Sequence, residues 1–203
     1  MVFANIKLVG VLIRTSIIEM KNILFFGDSL TAGYGLRFPS TEAFPALLAK
    51  IAKDEALAFS FKNAGVSGDT TSSALQRLAP LLEPHTDIFV VALGANDMLR
   101  GYLPTTMAQN LEKIITQIQK VVPTAKILLL GMELPSWITA QRAAQYRDIY
   151  SNLARKYQLT FLPFLLEGVI GSRQLNLPDL VHPNAAGYVV IANRVWPLLR
   201  KML

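Results

Sequence analysis

The stretch Ile23-Leu24-Phe25-Phe26-Gly27-Asp28-Ser29-Leu30-Thr31 sets the fold. Four consecutive apolar residues, from Ile23 to Phe26, have the length and continuity of a strand buried on both faces, and Gly27 ends the run. A carboxylate and a hydroxyl, Asp28 and Ser29, follow at once. In open α/β sheets, ligands bind in the crevice beyond the carboxyl ends of the strands. A serine standing there is a candidate nucleophile. Gly27-Asp28-Ser29 is equally ordinary strand-to-loop chemistry, rich in turn residues, and the stretch alone does not choose between the two.

Outward from it, strand-like apolar runs alternate with amphipathic segments of helix length, the pattern of a parallel sheet with helices on both faces. Strands are expected over 22–27, 58–63, 87–93, 126–131 and 159–162, and helices over 42–54, 71–82, 104–122, 139–157 and 183–203. The run 87–93 is apolar on both faces and so central. Leu111, Ile114, Ile115 and Ile118 fall at helical spacing. Pro39-Ser40-Thr41 offers N-cap hydroxyls to the first helix, and Pro183 suits the first position of the last one, with a kink expected at Pro197. The segment 165–180 is irregular, and neither a repeat nor a linker interrupts the series.

The length of 203 residues suits one domain, with 52% hydrophobic and 17% charged residues placing it among globular chains. With no cysteine there are no disulfides or thiolate metal sites, and two histidines, His85 and His182, cannot build a histidine-rich one. The net charge is +6. Its cations, including Lys50, Lys53, Arg77, Lys113 and Arg142, scatter over the outer faces of expected helices without interleaved aromatics, which argues against nucleic acid and leaves weak contact with a membrane surface open.

Residues 1–19 form a separate N-terminal extension ahead of a domain over 20–203. The apolar run 6–18 contains Lys7 and Arg14 and is too short to span a membrane. A signal peptide fits poorly, because Arg14 interrupts the run and no small-x-small cleavage site follows. A natural start at Met20 fits best and implies a cytoplasmic protein, whereas a leader would make it periplasmic or secreted.

Four loops at the carboxyl end of the expected sheet carry reactive residue types: Ser29, then Gly68, then Asn96, then Asp179 and His182. A serine hydroxyl needs a base as it attacks, and imidazole suits that task. His182 is the histidine expected at this end; His85 belongs to a surface loop at the other. Asp179, three residues before His182, can orient the imidazole. Asn96 offers an amide to a developing oxyanion beside the backbone N–H groups of Gly68 and Ser29, glycine at 68 permitting close approach. Singly, Asp179 and Asn96 are as well explained as a cap and a turn former.

Together these blocks resemble the SGNH, or GDSL, hydrolases: Gly27-Asp28-Ser29-Leu30, the glycine of Ser67-Gly68-Asp69-Thr70, Gly94-Ala95-Asn96-Asp97, and Asp179-Leu180-Val181-His182-Pro183. Within the family, Ser67-Gly68-Asp69-Thr70 and the Arg100-Gly101 that follows Asn96-Asp97 are similar to the bacterial multifunctional thioesterase–lysophospholipase–arylesterase subgroup. The resemblance implies a three-layer α/β/α sandwich with a flavodoxin-like parallel sheet of about five strands. It implies ester, thioester or lysophospholipid hydrolysis through an acyl-serine, with Ser29 as nucleophile, His182 as base and Asp179 as its orienting acid. Ser29, Gly68 and Asn96 would form the oxyanion hole. No cofactor or metal is implied, and the partner is a small-molecule acyl ester or thioester. Asp28, Met98, Leu99, Tyr102, Leu134, Trp137 and Ile138 are the expected substrate contacts. The chain departs from the subgroup after strand four, where Leu134-Pro135-Ser136-Trp137-Ile138 replaces Pro-Asn-Tyr-Gly. A carbohydrate O-deacetylase of the same family would share every catalytic residue. A flavodoxin-like module holding a phosphate at 31–35 would leave Asn96, Asp179 and His182 without a shared purpose.

Overall fold

The computed structural model describes residues 20–133 and 140–203. In chain order the elements are β1 (Lys21–Gly27), α1 (Ser29–Ala32), α2 (Pro39–Glu42), α3 (Phe44–Asp54), β2 (Phe59–Gly65), α4 (Thr71–Gln76), a 3₁₀ turn (Ala79–Leu81) and β3 (Ile88–Ala92). Then follow α5 (Ala95–Leu99), α6 (Pro104–Val121), β4 (Lys126–Leu130), α7 (Ala140–Lys156), β5 (Thr160–Leu162) and α8 (Ala185–Arg200). The five strands pair in parallel in the order β2-β1-β3-β4-β5, the expected flavodoxin-like arrangement. Helices α3 and α8 pack together, and α4, α6 and α7 form a second packed set, giving the three layers.

The core follows from sequence patterning. Every residue of β3 is buried, as are Phe25 and Phe26 of β1, because a central parallel strand has a helix layer on each side. On α6 the stripe Leu111, Ile114, Ile115 and Ile118 is fully buried, as its spacing requires. Gly27 stands opposite both Gly65 and Ala92. Strands β1, β2 and β3 therefore end level, and their outgoing loops emerge side by side.

Proline accounts for most of the differences at helix ends. The helix expected over 42–54 is two pieces, because Ala43 is extended (φ −67°, ψ 150°) and α3 restarts with Pro45 in its first turn; Pro45 has no N–H to continue a helix from α2. Pro39 opens α2, and the hydroxyls of Ser40 and Thr41 do not cap it. The helix expected over 71–82 stops at Gln76, and Pro80 sits in the 3₁₀ turn after it. Helix α8 starts two residues after Pro183, capped by Asn184, whose side chain accepts the Gly187 N–H. The helix continues through Pro197. Two one-turn helices, α1 and α5, stand where loops were expected.

Candidate active site

The turn after β1 is built from the inside. A Cβ on Gly27 would lie 2.0 Å from the Thr31 hydroxyl and 2.7 Å from the Ala92 carbonyl oxygen, so the chain passes there only as glycine. Asp28 caps α1, its Oδ1 accepting the Leu30 N–H at 3.0 Å. Gly33, at φ +82°, ends α1 and donates to the Ser29 carbonyl. Ser29 is thus the first helical residue, its position fixed from both sides.

Its hydroxyl Oγ lies 3.0 Å from His182 Nε2. The other ring nitrogen, Nδ1, lies 2.6 Å from Asp179 Oδ2. Asp179 Oδ1 accepts the backbone N–H groups of Val181 and His182, both at 2.9 Å. Partial burial pushes the Asp179 carboxyl up, but the imidazole and these two N–H groups outweigh it and hold the acid below the ordinary carboxylate range. It is therefore ionised at neutral pH, which favours the tautomer with the proton on Nδ1 and leaves Nε2 free to accept from Ser29. Tyr34 covers the imidazole, ring centres 4.6 Å apart. Leu180, between acid and base, adopts φ +60°.

Gly68 and Asn96 come from the neighbouring loops. Gly68 is left-handed, at φ +84°, and its carbonyl accepts from Arg100 Nη2 at 3.0 Å. The Asn96 amide Nδ2 donates to the Asp69 carbonyl at 2.9 Å, so one of its two N–H bonds anchors it to the Gly68 loop. Asp97 is fully buried and accepts from the Thr71 N–H at 2.8 Å and the Thr71 hydroxyl at 2.6 Å, fastening α5 to α4. Ser29, Gly68, Asn96, Asp179 and His182 all lie on loops leaving the same sheet end.

Arg77 links two of these loops. It was expected on an outer helical face, yet its Nε meets Asp69 Oδ2 at 2.6 Å and its Nη2 donates to the Gly27 carbonyl at 3.0 Å. The guanidinium lies 4.5 Å from the centre of the Phe26 ring. One side chain thus ties the loop of Gly68 to the strand end of Ser29. The sequence carried one signal for this: Ala74, Arg77 and Leu78 share a helical face, and Ala74 and Leu78 are buried.

The expected substrate contacts divide. The Asp28 side chain is fully buried, with Oδ1 on the Leu30 N–H and Oδ2 without a hydrogen-bond partner. Burial, reinforced by the charges of Asp69 and Asp97, pushes this carboxyl up to about 7 against the pull of the Leu30 N–H. Met98 and Leu99 line a largely apolar pocket with Ala95, Met132, Glu133, Leu166, Ile170 and Val181. Tyr102 is exposed, and its carbonyl accepts the Tyr146 hydroxyl. Leu134, Trp137 and Ile138 lie outside the described residues. His85 is exposed at the far end of the sheet beside Glu83. Thr31, expected to open a phosphate loop in the binding-module alternative, is buried.

Residues 25–190 match the GDSL-like lipase/acylhydrolase family. The chain belongs to that family. Esterase TesA of Pseudomonas aeruginosa is 34% identical, the alignment covering 90% of each chain, and a crystal structure of a protein named TesA, 34% identical, superimposes with a TM-score of 0.84, covering 90% of this chain and 100% of that one. Thioesterase 1/protease 1/lysophospholipase L1 of Escherichia coli K12 is 36% identical over 84% of this chain and 79% of its own. The SGNH-hydrolase family esterase AlinE4 is 38% identical, with a TM-score of 0.73, covering 91% of this chain and 97% of that one. As a GDSL-like acylhydrolase the protein is an ester hydrolase with a small-molecule substrate.

Proposed function

We propose that this acylhydrolase works through Ser29 as nucleophile, His182 as base and Asp179 as the acid that orients the imidazole. The observation that carries the reading is the unbroken hydrogen-bond path from Asp179 through His182 to Ser29 at the mouth of the sheet. As Oγ attacks the carbonyl carbon, its proton passes to Nε2 and the carbonyl oxygen becomes an oxyanion. The backbone N–H groups of Ser29 and Gly68 and the free N–H of the Asn96 amide stabilise that charge, which exists only towards the transition state. Collapse expels the alcohol or thiol, which takes the proton from Nε2 and leaves an acyl-serine. Water then repeats the sequence, with His182 again as base, and frees the acid.

The substrates that fit are carboxylic esters, including aryl esters and acyl thioesters, and lysophospholipids. The pocket of Met98 and Leu99 is apolar and suits an acyl group. A carbohydrate O-deacetylase of the same family would use the same Ser29, Asp179 and His182 and is the second reading. An acetyl-to-octanoyl series of p-nitrophenyl esters separates the two: kcat/KM confined to acetyl favours the deacetylase. A fluorophosphonate probe followed by peptide mass spectrometry tests the mechanism. The label is expected on Ser29 and absent from Ser29→Ala; labelling elsewhere, or none, would sink the assignment.

A further inference from the structure

Large apolar side chains left in water are unevenly distributed over the molecule. Of the ten exposed among the described residues, six lie on the loops that leave β1, β2 and β3 at the Ser29 end: Tyr34, Phe38, Val66, Leu99, Tyr102 and Leu103. Three contacts join these loops around one mouth. Tyr34 lies on the His182 ring, Arg100 donates to the Gly68 carbonyl, and Gly35 packs against Leu177 of the segment before α8. One acyl group cannot occupy side chains spread over three loops. Their concentration at one end calls for a surface as partner.

The charges at the same end give that surface a sign. Arg37 lies 5.1 Å from the centre of the Phe38 ring, Arg100 follows α5, and Arg173 flanks the cleft of Leu177 and Leu180. All three are exposed, and none has a carboxylate partner among the described residues. Acids on this side are engaged: Glu42 accepts the Phe38 N–H, Asp179 holds His182, and Asp69 holds Arg77. At the opposite end Lys21 pairs with Asp87 and Lys62 with Glu83, and Lys126 donates to the Met202 carbonyl. Aromatic and aliphatic side chains interleaved with unpaired arginines suit a headgroup layer, where apolar parts enter the acyl boundary and guanidinium groups meet phosphates.

We propose that the loops around Ser29 dock on an anionic lipid surface, with Tyr34, Phe38, Val66 and Leu103 entering the interfacial layer and Arg37, Arg100 and Arg173 on lipid phosphates. The mouth of the site then opens directly onto the acyl esters of the layer. Docking needs no chemistry at Ser29, so it stands or falls apart from the assignment of the nucleophile.

Co-sedimentation with vesicles of ether-linked lipids tests it, since such lipids offer no ester to bind as substrate. The full chain is expected to bind ether-linked phosphatidylglycerol vesicles, to bind pure ether-linked phosphatidylcholine much more weakly, and to be released by salt. Ser29→Ala should bind like the parent. Phe38→Asp combined with Leu103→Asp should weaken binding about a hundredfold, since each side chain withdrawn from water contributes about tenfold. Hydrolysis of soluble p-nitrophenyl acetate should stay unchanged in that variant, which also reports that it folds. Arg37→Gln, which removes one charge beside the exposed Phe38 ring, should cost roughly fivefold. Equal binding to neutral vesicles, no binding to anionic ones, or variants that bind like the parent would overturn the proposal. So would concentration-dependent self-association abolished by Phe38→Asp without any vesicle binding, which would make the partner a second copy of the chain.

Discussion

Ser29, Asp28 and Thr31 are packed into the end of a central strand, whereas Asp179, Leu180 and His182 sit on a loop that faces water, and different forces hold the two regions. At the strand end, position is dictated by exclusion: Gly27 fits because nothing larger can, and Asp28 and Thr31 keep buried oxygens without partners. On the loop, position is dictated by hydrogen bonds, three of them to the Asp179 carboxylate. The nucleophile's platform is therefore a rigid part of the core, while the acid and base are set by local polar geometry. Substitutions should act on the first through packing and burial and on the second through charge and orientation.

The largest effects should come where the regions meet. Ser29→Ala removes the nucleophile and His182→Ala the base, and each should lower kcat for a soluble ester by about 10⁴-fold or more with the circular dichroism unchanged. Comparable residual activity in both would mean that the two act as a unit, and substantial turnover in either would break the pairing. Next is Asn96→Ala, which deletes one oxyanion donor and should cost on the order of 10²–10³ in kcat, with KM little altered. A loss mainly in KM would mean that the amide binds the ground state instead.

Asp28 sharpens the contrast through pH. Its folded carboxyl titrates near 7 against an ordinary 3.8, so between those values the folded chain holds a proton that the unfolded chain has released. Stability falls as pH rises through that window and levels off above it, by a few kcal/mol in all. Asp28→Asn removes the ionisation, so its melting temperature should gain on the parent from pH 5 to pH 8; a constant difference would show that Asp28 does not titrate there. Asp179, held low, acts in the opposite sense: its contribution is present at neutral pH and is lost as pH falls below the ordinary carboxylate value.

Arg77→Lys keeps the charge but cannot reach Asp69 and the Gly27 carbonyl with one planar group. A fall in kcat of about tenfold with modest destabilisation is expected, on the order of 1–2 kcal/mol for a charged hydrogen-bond network. An unchanged kcat with lowered stability would leave Arg77 a purely structural tie. Smallest of all is Leu180→Gly. A leucine at φ +60° costs roughly 1 kcal/mol, offset in part by the greater freedom glycine gives the unfolded chain. Urea unfolding should find a gain of at most about 1 kcal/mol; a clear loss would show that the Leu180 side chain packs more strongly than its backbone is strained.

Much of the molecule is legible in the sequence because the signals are local and repeated. Five apolar runs separated by amphipathic segments predict the parallel three-layer fold, and level strand ends make the loops of Ser29, Gly68 and Asn96 neighbours. The order Gly-Asp-Ser, Gly, Asn, Asp-x-x-His names five residues that the structure gathers at one sheet end. Helices α1 and α5 escaped because one turn is too short to display a 3.6-residue period. The break at Ala43 and the early end of α4 needed the prolines weighed above the hydrophobic pattern. Asp28, expected to meet substrate, is buried, and Arg77, expected in solvent, crosses between loops. For both, the deciding neighbours lie far along the chain: Asp69 and Asp97 around Asp28, Gly27 and Phe26 around Arg77. Sequence by itself determined which residue types stand at the sheet end; tertiary structure alone decided which of them face the core, because the burial and pairing of a charged side chain depend on contacts between segments that no local pattern encodes.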